Sequence, residues 1–299
     1  MNRFFAPKPP TRPSRPARVR GVLWLALSVL ILALPAASAL CEGPPMPLCF
    51  EGPAHYSYAD DRLWINVQRQ VITEPKLVTY FVCDVQTTDP NSLKSAVAYD
   101  ERHTRKSTSE IAERENAVLA INGDGYGFRG PGIVVRSGQV RRAKPVVGFH
   151  LLMLDIRGDL SVAAQFDKKL NPEALVNEML AAGVREVWSF GPELVRDGEP
   201  ASFRGFDALS RRESSRAPRT AIGQIGPLHY VVVVVDGRRP EYSNGISLPD
   251  LQQIFVDLGA KTAFNLDGGG STTLYFLGEL INTPSDRRER NVSDILYFN

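Results

Sequence analysis

Hydrophobic and polar positions along the chain fall into short runs of two kinds. Residues 77–85 (LVTYFVCDV) are rich in β-branched and aromatic side chains and predict a strand. Ser107 followed three residues later by Glu110 predicts a capping box that opens a helix through IAEREN, and this runs into the apolar strand AVLAI. GIVVRSGQVRR predicts a hairpin turning at Ser137 and Gly138, and HLLMLDIRGDLSVAAQF a second one turning near Gly158. Asn171, with Pro172 behind it and Gly183 beyond, brackets a helix through PEALVNEMLAA. EVWSF, TAIGQIG and HYVVVVVDG read as strands, the last so continuously apolar that burial on both faces is expected. Ser247, Pro249 and Asp250 open a helix through LQQIFVDLGA, which Gly259 stops. KTAFNLD, the hairpin TTLYFLGELIN and VSDILYF complete the strands. Strands outnumber helices, so the predicted class is α+β: a mixed or antiparallel sheet system with two or three inserted helices.

The N-terminus breaks this pattern. Arg3, Lys8, Arg12, Arg15, Arg18 and Arg20 precede an apolar run, VLWLALSVLILAL, and then the small residues Ala37, Ser38 and Ala39. That order predicts a secretory signal peptide over 1–39. The run is shorter than the roughly 20 residues a membrane-spanning helix needs, and an uncleaved N-terminal anchor is the alternative. Residues 40–75, opening with CEGPPMPLCFEGP, are expected to form an irregular lead-in, and 76–299 a single catalytic-type domain. The expected location is secreted or periplasmic, with membrane contact only through the export signal.

Charge follows from this division. Of 35 basic residues six lie in the leader, so the 33 acidic residues outnumber those that remain, and a mildly acidic body without basic runs does not suit nucleic acid. In an exported chain Cys41 and Cys49 could close a small loop, leaving Cys83 unpaired; equally, Cys83 reads as a buried small hydrophobe. The four histidines are scattered and no Cys/His spacing suggests zinc.

Candidate chemistry lies where strands end in glycine-rich turns. In Asn265-Leu-Asp-Gly-Gly-Gly-Ser-Thr-Thr273 a strand delivers Asp267 beside Gly269, Gly270, Ser271 and Thr272, whose amides and hydroxyls could hold an anion while Asp267 serves as acid, base or nucleophile. No lysine precedes the hydroxyls, which argues against a Walker A loop; Thr273 breaks a nucleophile elbow; and an exported protein would meet no ATP for an actin-type phosphate loop. Asn122-Gly-Asp-Gly-Tyr-Gly-Phe128 supplies Asn122 and a second carboxylate, Asp124. Arg219, in APRTAIG, offers a guanidinium suited to phosphate, and Asp236 and Arg238 end a buried strand where they could face the same mouth. Each motif alone also reads as a structural turn or a solvated charge.

In this order and spacing, AING with Phe128, FGP with Leu194 and Val195, APRTAIG, VDGR, NLDGGGST, Asn282 with Pro284 and Ser285, and Arg290 with Val292 together resemble the phosphodiester glycosidase family from about Leu119 to the C-terminus. NGDGYGF is longer than the family's usual asparagine-glycine loop and carries Asp124 in addition. The resemblance implies hydrolysis of the glycosidic bond of a sugar-1-phosphodiester, giving free sugar and a phosphate monoester, with Asp267 as the expected working carboxylate. It places Arg219 and the Gly269 to Thr272 turn on the phosphate, and Asn122 and Asn265 on sugar hydroxyls. The other reading is a non-catalytic phosphoglycan- or glycan-binding envelope protein using the same cleft. A divalent cation held by Asp124, Asp236 and Asp267 is conceivable chemically, but no spacing signals one, and nothing in the sequence fixes an oligomeric state.

Overall fold

The computed structural model describes residues 55–98, 105–144, 148–163, 171–203 and 215–299. The predicted leader, Cys41, Cys49 and the end of the second hairpin lie outside them. Every strand pairing among the described residues is antiparallel, and the strands form three sheets. An eight-stranded sheet runs His55–Ala59, Leu63–Ile72, Val78–Thr87, His229–Val235, Arg219–Gly226, Thr262–Asn265, Glu193–Arg196 and Glu199–Pro200. A second sheet holds Gln139–Lys144, Gly132–Arg136, Val184–Phe190, His150–Asp155 and Leu160–Ala163. The third holds Glu279–Leu280, Leu274–Phe276, Leu119–Asn122, Asp294–Phe298 and Leu93–Val97.

The main core forms where inward faces of the three sheets meet. Ile65, Phe81, Val232 and Phe264 from the first pack with Leu152 and Trp188 from the second and Ile121, Leu274 and Leu296 from the third. Each α-helix among the described residues covers an outer face. Leu248–Asp257 lies on the first sheet, Pro172–Ala181 on the second and Thr108–Arg114 on the third, each with its own buried cluster. The apolar strand His229–Val235 shows why it carries no polar alternation. Tyr230, Val232 and Val234 face the main core while Val231, Val233 and Val235 face the helix. A one-residue slip would exchange these two faces, so its register is tightly held.

The predicted caps form as expected. Ser107 accepts from Glu110 N–H within a full capping box, Asn171 from Glu173 and Ala174, and Ser247 from Asp250. The expectation of an irregular lead-in fails over its described part, because His55–Ala59 and Leu63–Ile72 are strands at the edge of the eight-stranded sheet. Leu63–Ile72 pairs on both sides but has one face toward solvent, so only Leu63, Ile65 and Val67 carry apolar burial there while Trp64 is 42% exposed. Cys83 is a free, fully buried thiol, and burial raises its pKa.

Candidate active site

Two strands from different sheets end at one place. Leu119–Asn122 belongs to the third sheet and Thr262–Asn265 to the first. The glycine motif between Asn265 and Leu274 is the crossover from one to the other, since Leu274 pairs directly opposite Ile121. Asp267 N–H reaches Gly123 C=O at 3.3 Å, which ties the two loops together.

Asn122 is the clamp of this junction. Its Oδ1 accepts from Thr220 Oγ1 at 2.8 Å and from Thr273 N–H at 3.2 Å. Its Nδ2 donates to Asp267 C=O at 2.7 Å and to Gly123 C=O at 3.3 Å. An asparagine amide has two acceptor positions and two donor hydrogens, and here all four are engaged in a fully buried side chain. Asn122 therefore positions Asp267 and the glycine turn, and no capacity remains for the sugar hydroxyl expected of it.

Asp267 sits at this junction. Its side chain keeps 20% of its surface accessible, yet loss of solvation is the largest influence and raises its pKa. Ser271, the Arg129 guanidinium and the Gly268 N–H pull it back, and nearby Asp124 raises it further. Arg129 Nη2 stands 3.7 Å from Asp267 Oδ1 and stacks over Phe190 and Phe149 at 4.2 and 5.1 Å, these rings lying nearly parallel 6.4 Å apart. Asn265 Oδ1, Ser271 Oγ and Thr272 Oγ1 are buried without a hydrogen bond of ordinary geometry among the described residues, Ser271 Oγ included despite its closeness to Asp267. Three such atoms along one motif mark polar capacity that the fold itself leaves unused.

Three amides of the turn, in contrast, are engaged. Gly269 N–H donates to Pro218 C=O at 2.9 Å, Ser271 N–H to Gly268 C=O and Thr272 N–H to Gly269 C=O. The glycines answer first to crowding by the protein: a Cβ on Gly268 would lie 2.7 Å from Pro218 C=O, and Gly269 takes a φ of 65° with Arg238 Nη2 2.9 Å from where its Cβ would be. Arg290 and Asp286 lie against Gly270 in the same way.

Other expected ligands are placed elsewhere. Along Arg219–Gly226 the side chains alternate, so Thr220 faces Asn122 and Arg219 the helix-covered side. The Arg219 guanidinium donates to Ile246 C=O at 3.3 Å and Ser215 C=O at 3.0 Å, so it is not delivered to the Asp267 junction. Asp124 is fully buried, accepts from Ser189 and Tyr126 N–H, and pairs with Arg136 at 3.3 Å. Arg136 also binds Asp294 at 2.7 Å, beneath Gly123, whose missing side chain is what lets the Asp294 carboxylate fit. Burial, and then Asp124, push the Asp294 carboxyl up to about 7. Asp236 is 1% exposed and accepts from Asn282 Nδ2, Thr283 N–H and Tyr242 Oη–H, while Asn282 in turn holds Leu274 N–H and Thr272 C=O. Asp124 and Asp236 are thus braces rather than substrate ligands, and the three aspartates go to separate partners instead of gathering round a cation. Asn265 Nδ2 is bound to Gly191 C=O at 2.8 Å, next to the cis Gly191–Pro192 bond, and only its Oδ1 remains unpartnered.

The model of the family described as phosphodiester glycosidase matches residues 115–299, more than half of the chain and all of the loops just described. The chain belongs to the phosphodiester glycosidase family. It is 30% identical over 209 residues to an uncharacterized SPbeta prophage-derived protein, YomE, of Bacillus subtilis, covering 69% of this chain but 31% of that one. It is 35% identical over 74 residues to the N-acetylglucosamine-1-phosphodiester alpha-N-acetylglucosaminidase of Bos taurus, 25% of this chain and 14% of that one. The chain thus spans about a third and about a seventh of these relatives. In fold it is similar to the catalytic domain of the zebrafish N-acetylglucosamine-1-phosphodiester alpha-N-acetylglucosaminidase, with a TM-score of 0.65 at 20% identity over 82% of this chain and 88% of that one. A hypothetical protein from Synechocystis matches with a TM-score of 0.60 at 16% identity, over 83% and 64% of the two chains.

Within this family member, sequence reading located the two loops but missed Arg129, Asp286, Arg136 and Asp294. Arg129 directly follows the loop ending at Phe128, and Asp286 directly follows Pro284 and Ser285, so each adjoins a segment already singled out. Arg136 and Asp294 gave no such signal: one ends a strand, the other begins one, and they meet each other only across 158 residues. No helix among the described residues is long and apolar enough to cross a membrane.

Proposed function

We propose that this protein is an exported hydrolase that cleaves the glycosidic bond of a sugar-1-phosphodiester. The observation that carries the reading is Asp267: a carboxyl at the junction where two sheets meet, its pKa raised by burial, in a chain of the phosphodiester glycosidase family. Water adds at the anomeric carbon, the bond from that carbon to oxygen breaks, and the oxygen leaves with its electron pair on the phosphate monoester. Such a leaving group is already a stable anion, so the demand on the protein is for anion binding and for water activation rather than for strong acid assistance. Asp267 takes the proton of the attacking water, and its raised pKa makes it a better base than an exposed aspartate once ionised. Arg238 and Arg290, flanking Gly269 and Gly270, hold the phosphoryl oxygens. Asn265 Oδ1 and the Ser271 and Thr272 hydroxyls receive polar groups of the substrate. Arg129 tempers the Asp267 charge from the aromatic side.

The test is incubation with p-nitrophenyl-phosphoryl sugar diesters, following release of reducing sugar, for the natural protein and Asp267→Asn. Loss of turnover with unchanged unfolding in the variant is expected, and turnover by the natural protein should rise with pH through the raised Asp267 pKa. Full turnover in Asp267→Asn would remove Asp267 from the chemistry. Binding without sugar release by the natural protein would favour a glycan-binding role for the same cleft.

A further inference from the structure

One charged group over the glycine turn has the sign of a substrate rather than of a substrate binder. Asp286 Oδ2 accepts from Arg290 Nη2 at 2.8 Å, and its Oδ1 lies 4.0 Å from Arg238 Nη1 and 3.2 Å from Ser285 Oγ. The same two guanidiniums border the turn, Arg238 at Gly269 and Arg290 at Gly270, with Asp286 Oδ2 2.5 Å from where a Gly270 Cβ would stand. The same glycine motif carries Asp267 and the buried, unpartnered Ser271 and Thr272 hydroxyls. A carboxylate therefore occupies the space between two arginines where the glycines let an anion approach the turn.

We propose that Asp286 is an internal anion that holds Arg238 and Arg290 over the glycine turn in the free protein and is exchanged there for the phosphoryl group of an incoming ligand. Three features support the exchange. The side chains of Arg238, Arg290 and Asp286 are 53%, 42% and 41% exposed, and pairs in such contact with water are weak and readily replaced. A phosphoryl group offers more acceptor oxygens than a carboxylate and can bind a guanidinium fork through two of them. A cavity of about 460 Å³, lined by Asp286, Arg288, Glu289, Arg290 and Asn291, adjoins the pair and gives the displaced carboxylate room to swing. The Arg290 hydrogen bond holds the Asp286 pKa low, so the internal anion stays charged at neutral pH. The exchange rests on the hydrolase reading only in taking the phosphoryl group to be that of the substrate.

The experiment is a calorimetric titration of the full chain with inorganic phosphate at low ionic strength and pH 7, for the natural protein, Asp286→Asn, and Asp286→Asn combined with Arg290→Gln. Removing a competing partner of this exposed kind is expected to tighten phosphate binding about two- to fivefold, and loss of Arg290 to reverse the gain. In the diester assay the same Asp286→Asn change should lower KM and leave kcat little altered, which a merely structural role would not produce. Phosphate affinity that is unchanged or weaker in Asp286→Asn overturns the proposal, as does absence of phosphate binding in both proteins. If phosphate tightens while no protein releases sugar, the exchange stands and the hydrolase reading falls. If sugar is released but phosphate affinity ignores Asp286, the reverse holds.

Discussion

Replacing Asn122 by alanine separates two roles that the sequence could not distinguish, ligand and clamp. The substitution removes four hydrogen bonds from a fully buried position. It leaves three groups from other parts of the chain without their partner: the Thr220 hydroxyl, the Thr273 N–H and the Asp267 carbonyl. A buried polar group left unmade costs about 1–3 kcal/mol. The Thr220 hydroxyl can rotate and water can enter the space vacated, so the lower half of the summed range applies, about 3–6 kcal/mol. Set against a typical total stability of about 5–15 kcal/mol, that is a large fraction. Urea unfolding followed by tryptophan fluorescence measures it directly, with an unchanged slope showing that the same surface is exposed. Activity should fall in parallel, because the Asp267 backbone loses its anchor. A stability loss below about 1 kcal/mol, together with markedly weaker substrate binding, would refute the clamp and restore Asn122 as a substrate ligand.

Two glycines separate crowding by backbone from crowding by side chain. In Gly223→Ala the new methyl lies 2.7 Å from Thr262 C=O and 3.0 Å from the Phe255 ring, so a loss of about 1–3 kcal/mol in urea unfolding is expected. Gly270→Ala meets only the ends of Arg290 and Asp286, which can move, so the melting temperature should hold while phosphate affinity drops. For pH, the Asp294 carboxyl is raised from 3.8 to about 7, so its contribution to stability is full below its unfolded value and is lost as pH rises through about 7. Melting temperatures between pH 5 and 8 should decline less steeply in Asp294→Asn, which keeps an acceptor for Arg136 and carries no charge; an unaltered slope would show that Asp294 is not the titrating group.

The helix caps and most strands were legible because their signals are local. Ser107 with Glu110, Asn171 with Pro172, and Ser247 with Asp250 each act within one turn, and each forms the predicted cap. The strands His55–Ala59 and Leu63–Ile72 were missed because a half-wet strand next to a proline-rich segment carries few apolar residues, although Leu63, Ile65 and Val67 already show the period of two. The candidate turns stood out for their glycines, which mark places where backbone must pass close to something. What they pass close to lies far away in sequence: Pro218 for Gly268, Asp294 for Gly123, Arg290 for Gly270.

By itself, then, the sequence determined the α+β class, the helix caps and most of the strands, since periodicity, caps and turns are properties of neighbouring residues. Only the tertiary structure decided which polar groups remain for chemistry. Asp124, Asp236 and Asp267 each follow an apolar strand and are equivalent as letters. Arg136 engages the first, Asn282, Thr283 and Tyr242 saturate the second, and the third alone keeps an accessible face beside unpartnered hydroxyls. Arg219 was displaced from its expected role by strand alternation, which turns its side chain away from the face where Thr220 meets Asn122. A polar side chain is free or engaged according to partners that can lie 158 residues away or more, and that pairing exists only once the sheets have met.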